Sequence, residues 1–299
     1  MPLEFKNLLS PMRIKGLNLR NRVVWLPHVT QFGSDDFRPT ERHRYYYVER
    51  AKGGVGVIIT ESQVVHRTGG TSNTVLASDR ERMMDWTSTV RACHDHGARI
   101  FAQLTHYGNQ TFTIHTGLPA WGPSAIADPV LREVPRAMEA EDIKTIVECF
   151  RLAAENARAV GFDGVEVKVA HDGLLRQFLS PYSNRRDDEY GGSVENRMRI
   201  VLEVLQAMRE GVGSDFVVGV RLCLDEFAPG GYGLEDAKEF AVKLVETGQV
   251  DYLSGDLGTW VSGAMISPPM AVPLGYSIYA VSAIKELVDV PVIAFGRIK

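Results

Sequence analysis

Short runs of β-branched and apolar residues alternate along the chain with longer stretches in which apolar positions recur every three or four residues. The runs are RVVWL (22–26), GVGVIIT (54–60), RIFAQLT (99–105), GVEVKV (164–169), FVVGVRL (216–222), VDYLS (250–254) and PVIAF (291–295). Each is close to continuously apolar, the pattern of a strand buried on both faces in a parallel sheet. The clearest helical stretch is EDIKTIVECFRLAAENARAVG, where Ile143, Ile146, Val147, Phe150, Ala153, Ala154, Ala157 and Val160 share one face and Gly161 ends the pattern. Further helices are predicted over 40–52, 79–96, 195–211, 235–247 and 277–288.

Strand and helix alternate throughout with no Pro/Ser-rich linker, which predicts one α/β domain over 1–299. Strands recurring every roughly 30–60 residues favour a (β/α)8 TIM barrel over an open doubly wound sheet. The opening SPMRIKGLNLRN is expected to fold as an N-terminal hairpin closing the barrel bottom. Seven barrel strands are found and the chain ends soon after the seventh. An incomplete barrel exposes two apolar strand edges, so the expectation is a barrel truncated after strand seven, its eighth strand and any C-terminal domains lying outside 1–299.

Composition narrows the function classes. With 44% apolar and 23% charged residues, 4 Trp, 10 Tyr and 12 Phe, the chain can build a large core and is neither disordered nor fibrous. No stretch approaches the ~18 uncharged apolar residues of a membrane span, and MPLEFKNLLSPMRIKG lacks the apolar block of a signal peptide. A cytoplasmic protein without membrane partners is expected. A net charge of −4 with dispersed Lys and Arg gives no basic stripe for nucleic acid. Cys93, Cys149 and Cys223 lie far apart with no C-x-x-C, which disfavours a disulfide scaffold or a local iron–sulfur site. His94 and His96 are too close in sequence to share a helical face and His115 sits in a loop, so no metal site is expected. The partner expected is a small-molecule substrate; a homo-oligomer is compatible with these features.

In a barrel of parallel strands, chemistry gathers at the C-terminal strand ends and the loops after them. That rule selects Pro27, His28 and Thr30; Glu61 and Ser62; Gln103, His106 and Tyr107; Lys168, His171 and Asp172; Arg221; Ser254 and Asp256; and Gly296 and Arg297. His28 has an ordinary alternative as a strand cap. Gln103 and Arg221 close apolar strands with no local partner, which points to a ligand or a buried partner. Lys168 has an ordinary reading as an ion pair with Glu166 or Asp172; a functional one is preferred, because Glu166 shares its face two residues away and the direction of Asp172 is not fixed by sequence. His171 opens an irregular HDG turn of the kind that carries function. Gly296 and Arg297 offer a backbone N–H and a guanidinium to a phosphate. The run NRRDDEYGGSVENRMR (184–199) reads as a structural loop pinned by ion pairs through Glu195, Arg197 and Arg199.

In order along the chain, LLSPMRIKGLNLRNRVVWLPHVTQFG, ERAKGGVGVIITE, AQLTHYG, GPS (122–124), GFDGVEV, QFLSPYSNRRDDEYGGSVENRMR, FVVGVRL and PVIAFGRI resemble the old yellow enzyme family of FMN-dependent NADH:flavin oxidoreductases. The segments PHVTQFGSD and AHDGLLRQFLSP are most similar to its larger members, the trimethylamine dehydrogenase and 2,4-dienoyl-CoA reductase type. Those members add an iron–sulfur cluster and a nucleotide-binding region after the barrel, so a cluster is implied only where a C-terminal extension exists.

The resemblance implies non-covalent FMN across the barrel mouth. Pro27, His28 and Val29 would lie against the ring, Gln103 at its pyrimidine edge, and Gly296 and Arg297 at the first of two phosphate turns. Arg221 would approach the N1/O2 side, where a fixed cation stabilises the anionic reduced flavin. His171 matches the substrate-binding position, and Asp256 or Ser254 lies near that of an acid partnering it. Lys168 stands where His or Tyr is usual. Gly173 stands where ene-reductases carry a proton-donating tyrosine, which would leave water, His171 or Lys168 as proton source. Val29 stands where trimethylamine dehydrogenase has a flavin-bonded cysteine. The implied activity is hydride transfer from a donor such as NAD(P)H through the flavin to a small enone, enoyl or amine substrate. The alternative is a flavin-free, aldolase-like lyase with Lys168 as Schiff-base lysine, which leaves Gln103, Arg221 and the Gly296–Arg297 pair unexplained.

Overall fold

The computed structural model describes residues 5–298. The chain opens with an antiparallel hairpin of β1 (Met12–Ile14) and β2 (Leu17–Leu19). Next come β3 (Val24–Trp25), β4 (Val57–Val64) and β5 (Arg99–Thr105). A small parallel pair, β6 (Trp121–Gly122) and β7 (Arg136–Ala137), interrupts the series. It resumes with β8 (Gly164–Val169), β9 (Val217–Cys223), β10 (Tyr252–Asp256) and β11 (Val292–Ile293). The seven-stranded sheet runs β3-β4-β5-β8-β9-β10-β11, parallel throughout, with β3 and β11 at its two edges. The expected strands and their order are therefore present as a nearly closed TIM-type barrel. The edge strands pair over two residues each, and β4 runs to Val64, beyond its predicted end.

Helices Glu41–Lys52, Ala140–Val160, Val194–Val212, Leu234–Glu246 and Ile278–Lys285 agree with the apolar periodicity. The helix predicted over 79–96 is two helices, Arg80–Met84 and Thr87–Asp95. Backbone bonds from Asp85 to Arg82 and from Trp86 to Met83 tighten the chain there, and the turn drives the fully buried Trp86 against Tyr47 and Phe162. No helix among the described residues is long and apolar enough to cross a membrane.

The loop of 184–199 is held differently from the ion-pair expectation. Arg197 donates to the carbonyls of Leu179 and Gly192 (2.7 Å each) and Arg199 to that of Glu189 (2.7 Å), while Glu195 reaches out to Lys243. The ion pair within the run is Arg186–Asp188.

Strand alternation divides the barrel interior into two layers. Val57, Ile59, Phe101, Val217 and Tyr252 form an apolar floor, and the hairpin seals it from below with Ile14 and Leu19. Gly219 makes room for the floor, since a Cβ there would lie 2.1 Å from the Tyr252 ring. One step further along each strand the inward positions become polar: Gln103, Glu166, Lys168, Arg221, Ser254 and Asp256, all buried. A larger apolar core fills the space between the strands and the outer helices.

Candidate active site

The polar layer is a connected network at the C-terminal ends of the strands. Ser62 Oγ donates to Gln103 Oε1 (2.5 Å), and Gln103 Nε2 donates to Glu166 Oε1 (2.7 Å). The Tyr252 hydroxyl donates to the other Glu166 oxygen (3.1 Å). Burial raises the Glu166 pKa above the usual carboxylate range, against the opposing pull of Arg221 and of these two donors. Arg221 donates to Ser254 Oγ (3.4 Å) and to Asp256 Oδ1 (3.0 Å), and Asp256 Oδ2 hydrogen-bonds His171 Nδ1. Burial alone would raise the Asp256 pKa, but His171 and Arg221 outweigh it and hold the carboxyl below its ordinary range. Gln103 and Arg221 thus have buried partners, the second of the two options their isolation in sequence left open.

Lys168 has the ion-pair partner that its sequence position left open. Its Nζ forms an ion pair with Asp172 Oδ1 (2.5 Å), also donates to Ser62 Oγ (3.2 Å), and lies 5.0 Å from the centroid of the Tyr107 ring. The ordinary ion-pair reading is realised because the turn after β8 folds back over the strand end. That turn is tight: a Cβ on Gly173 would come within 2.9 Å of the Lys168 carbonyl oxygen. Burial opposes ionisation of Asp172, yet Lys168 and His171 prevail and lower its pKa. His171 Nε2 lies 3.6 Å from Asp172 Oδ1, so the histidine stands between two carboxylates.

The turn after β3 forms the rim. Pro27 is half-buried, His28 and Val29 are exposed, and Tyr46 OH hydrogen-bonds His28 Nδ1 (3.2 Å). Val29, Tyr107, Phe112, Asp172 and Trp260 line a cleft of 300 Å³ beside the network. A larger groove of 750 Å³ lies outside the barrel, between helices Ala140–Val160 and Val194–Val212. None of the network residues lines it, and the convergence of buried ionisable groups makes the mouth the candidate site.

Gly296 and Arg297 follow β11 with φ of 90° and 53°. Glycine is required at 296, where a Cβ would lie 2.5 Å from the Tyr276 ring. Among the described residues neither backbone N–H has a hydrogen-bond acceptor. The Arg297 guanidinium, expected to face a phosphate, instead donates through one nitrogen to the carbonyls of Pro269 (2.7 Å) and Val272.

His106 and Glu61, two further strand-end candidates, also lie outside the network. His106 accepts from Gly108 N at Nδ1 (3.0 Å) and contacts Thr68 Oγ1 through Nε2 (3.0 Å). Burial lowers its pKa to about 3, so it is a neutral core histidine. Glu61 points toward Thr30 rather than into the barrel. Its partner His43, on the first outer helix, was not among the strand-end candidates; a helix position next to a β-bulge gives no sequence signal of that pairing.

These features define a parallel-strand barrel with a polar, charge-paired mouth over a sealed apolar floor. Residues 7–299 match the NADH:flavin oxidoreductase / NADH oxidase family, and the chain belongs to it. It is 39% identical to an NADH oxidase of Thermoanaerobacter brockii over 99% of this chain and 46% of that one. The fold is similar to a 2-naphthoyl-CoA reductase complex (TM-score 0.90, 26% identity, 96% of this chain and 46% of that one). It is similar also to an old yellow enzyme homologue of Zymomonas mobilis (TM-score 0.84, 25% identity, 98% and 83%). The chain spans about half the length of the curated relatives it matches.

Proposed function

We propose that this barrel binds FMN non-covalently across its mouth. It would serve hydride transfer between a nicotinamide donor such as NAD(P)H and a small organic substrate of enone, enoyl or amine type. Bound FMN supplies a ring that accepts and returns hydride. The observation that carries the proposal is the pair Gln103 and Arg221, buried over an apolar floor and each fixed by partners, in a chain of the NADH:flavin oxidoreductase family. The residues present fit the cofactor: an amide and a guanidinium suit a polar heterocycle edge, and the Gly296–Arg297 backbone offers donors to a phosphate. Val29 offers no thiol for a covalent link.

Within the cleft His171 is the group best arranged to hold a substrate. The Asp256 carboxylate accepts from Nδ1, so that nitrogen carries the proton, and Nε2, 3.6 Å from Asp172 Oδ1, is the nitrogen left for a substrate. When protonated, Nε2 becomes a donor to a carbonyl oxygen. Lys168, paired with Asp172, adds a charged donor on the same side, and these two groups stand in for the tyrosine absent at Gly173. The Schiff-base alternative is disfavoured because the Lys168 amine is committed to Asp172, whereas a nucleophilic lysine needs an unpaired amine. An iron–sulfur cluster enters only with a C-terminal extension, since Cys93, Cys149 and Cys223 are free and apart; free thiols suit a cytoplasmic setting. Anaerobic addition of NADH or NADPH to the FMN-loaded chain should bleach the flavin absorption band, and an enone acceptor should restore it. A folded chain that takes up no FMN would contradict the proposal.

A further inference from the structure

β4 carries a bulge whose consequence reaches the rim of the site. Its register with β5 runs Ile59 to Phe101 and resumes at Ser62 to Gln103, one extra residue on β4. Without that residue Glu61, two beyond the inward-facing Ile59, would point into the barrel. The bulge sends Ser62 inward to Gln103 and Lys168 and turns Glu61 toward the loop after β3.

Glu61 there meets donors alone. Its Oε2 accepts from Thr30 N (2.5 Å), Thr30 Oγ1 (2.9 Å) and Gln31 N (3.2 Å), while Oε1 is in short contact with His43 Nε2. His43 Nδ1 accepts from Thr40 N (3.0 Å), so it carries no proton and Nε2 is the donor. Four donors converge on one buried side chain, and only a carboxylate accepts on both sides. A glutamine satisfies one side and opposes the other with its own N–H groups. Gln31 also sits at φ 54°, in the left-handed region that a non-glycine residue enters at a cost, and its N–H is one of the bonds to Glu61.

We propose that Glu61 is a positioning residue. Through Thr30 and Gln31 it fixes the turn after β3, and so sets Val29 and Gln31 on the wall of the mouth cleft. Its relevance to catalysis rests on the proposal that FMN lies against Pro27–Val29. Hydrogen exchange of the flavin-free chain reads the Thr30 and Gln31 amides directly. In Glu61→Gln the peptide 27–33 should exchange about tenfold faster while β5 and β8 stay protected, and FMN should bind about tenfold more weakly. Thr30→Val removes a single donor, is mild enough to fold where Glu61→Gln does not, and should shift both readouts in the same direction by about threefold. Unchanged exchange in 27–33, or an equal loss of protection in β5 and β8, overturns the proposal. If the wild-type chain takes up no FMN, the cofactor proposal falls, while the exchange experiment still decides the role of Glu61.

Discussion

Lys168 and Asp172 are four residues apart, and their sequence positions admit either an ion pair or two separate roles. The turn through Gly173 decides it by bringing Asp172 back over the strand end. Backbone path, invisible in residue spacing, also sends Glu61 away from the barrel. By contrast Gln103 and Arg221 were legible, because a polar side chain closing an apolar strand must find a buried partner or a ligand. His106 yields a test at this scale. Its folded pKa, lowered to about 3, lies below the ordinary 6.5, so on acidification the unfolded chain takes up a proton first. Stability from this site is complete above about pH 6.5 and falls as pH drops toward 3. Urea unfolding of His106→Gln should show a loss between pH 7 and pH 5 smaller than that of wild type by about 2 kcal/mol. Equal losses in both proteins would mean that His106 is not held neutral by the fold.

Among the elements, the long helices and central strands followed the apolar pattern because many residues vote for the same period. The departures are where a few contacts outweigh that pattern: Trp86 breaks a helix to reach the core, and one bulged residue re-aims β4. The hairpin was legible in outline, and its packing shows its purpose, since Ile14 and Leu19 complete a floor that β4, β5, β9 and β10 leave open from below. Leu19 is 3% exposed. Leu19→Ala should cost about 2–4 kcal/mol in a denaturant titration, from lost burial plus the cavity left under Phe101 and Tyr252. A cost under about 0.5 kcal/mol, the range of surface changes, would show that the hairpin is not a plug.

Over the whole molecule, seven parallel strands place an apolar floor, a charge-paired polar layer and an aromatic-walled cleft one above the other. The strand count and the two sheet edges were readable from the alternation of strand and helix. The chain of contacts Arg221–Asp256–His171–Asp172–Lys168–Ser62–Gln103–Glu166 was not, because it joins five strands distant in sequence, β4, β5, β8, β9 and β10, and the turn after β8. Such a chain of contacts keeps buried ionisable groups next to partners of opposite charge, and it borders the cleft at Asp172.

Equilibrium titration of FMN with the purified chain, followed by quenching of flavin fluorescence, tests this arrangement most directly when wild type is compared with Arg221→Lys. Lysine keeps the charge but loses the fork that spans Asp256 and a ligand edge. The expected result is saturable binding of one FMN per chain, weakened about tenfold in the variant. Absence of saturable binding, or equal affinity in the two proteins, would contradict an FMN site at the barrel mouth built on Arg221.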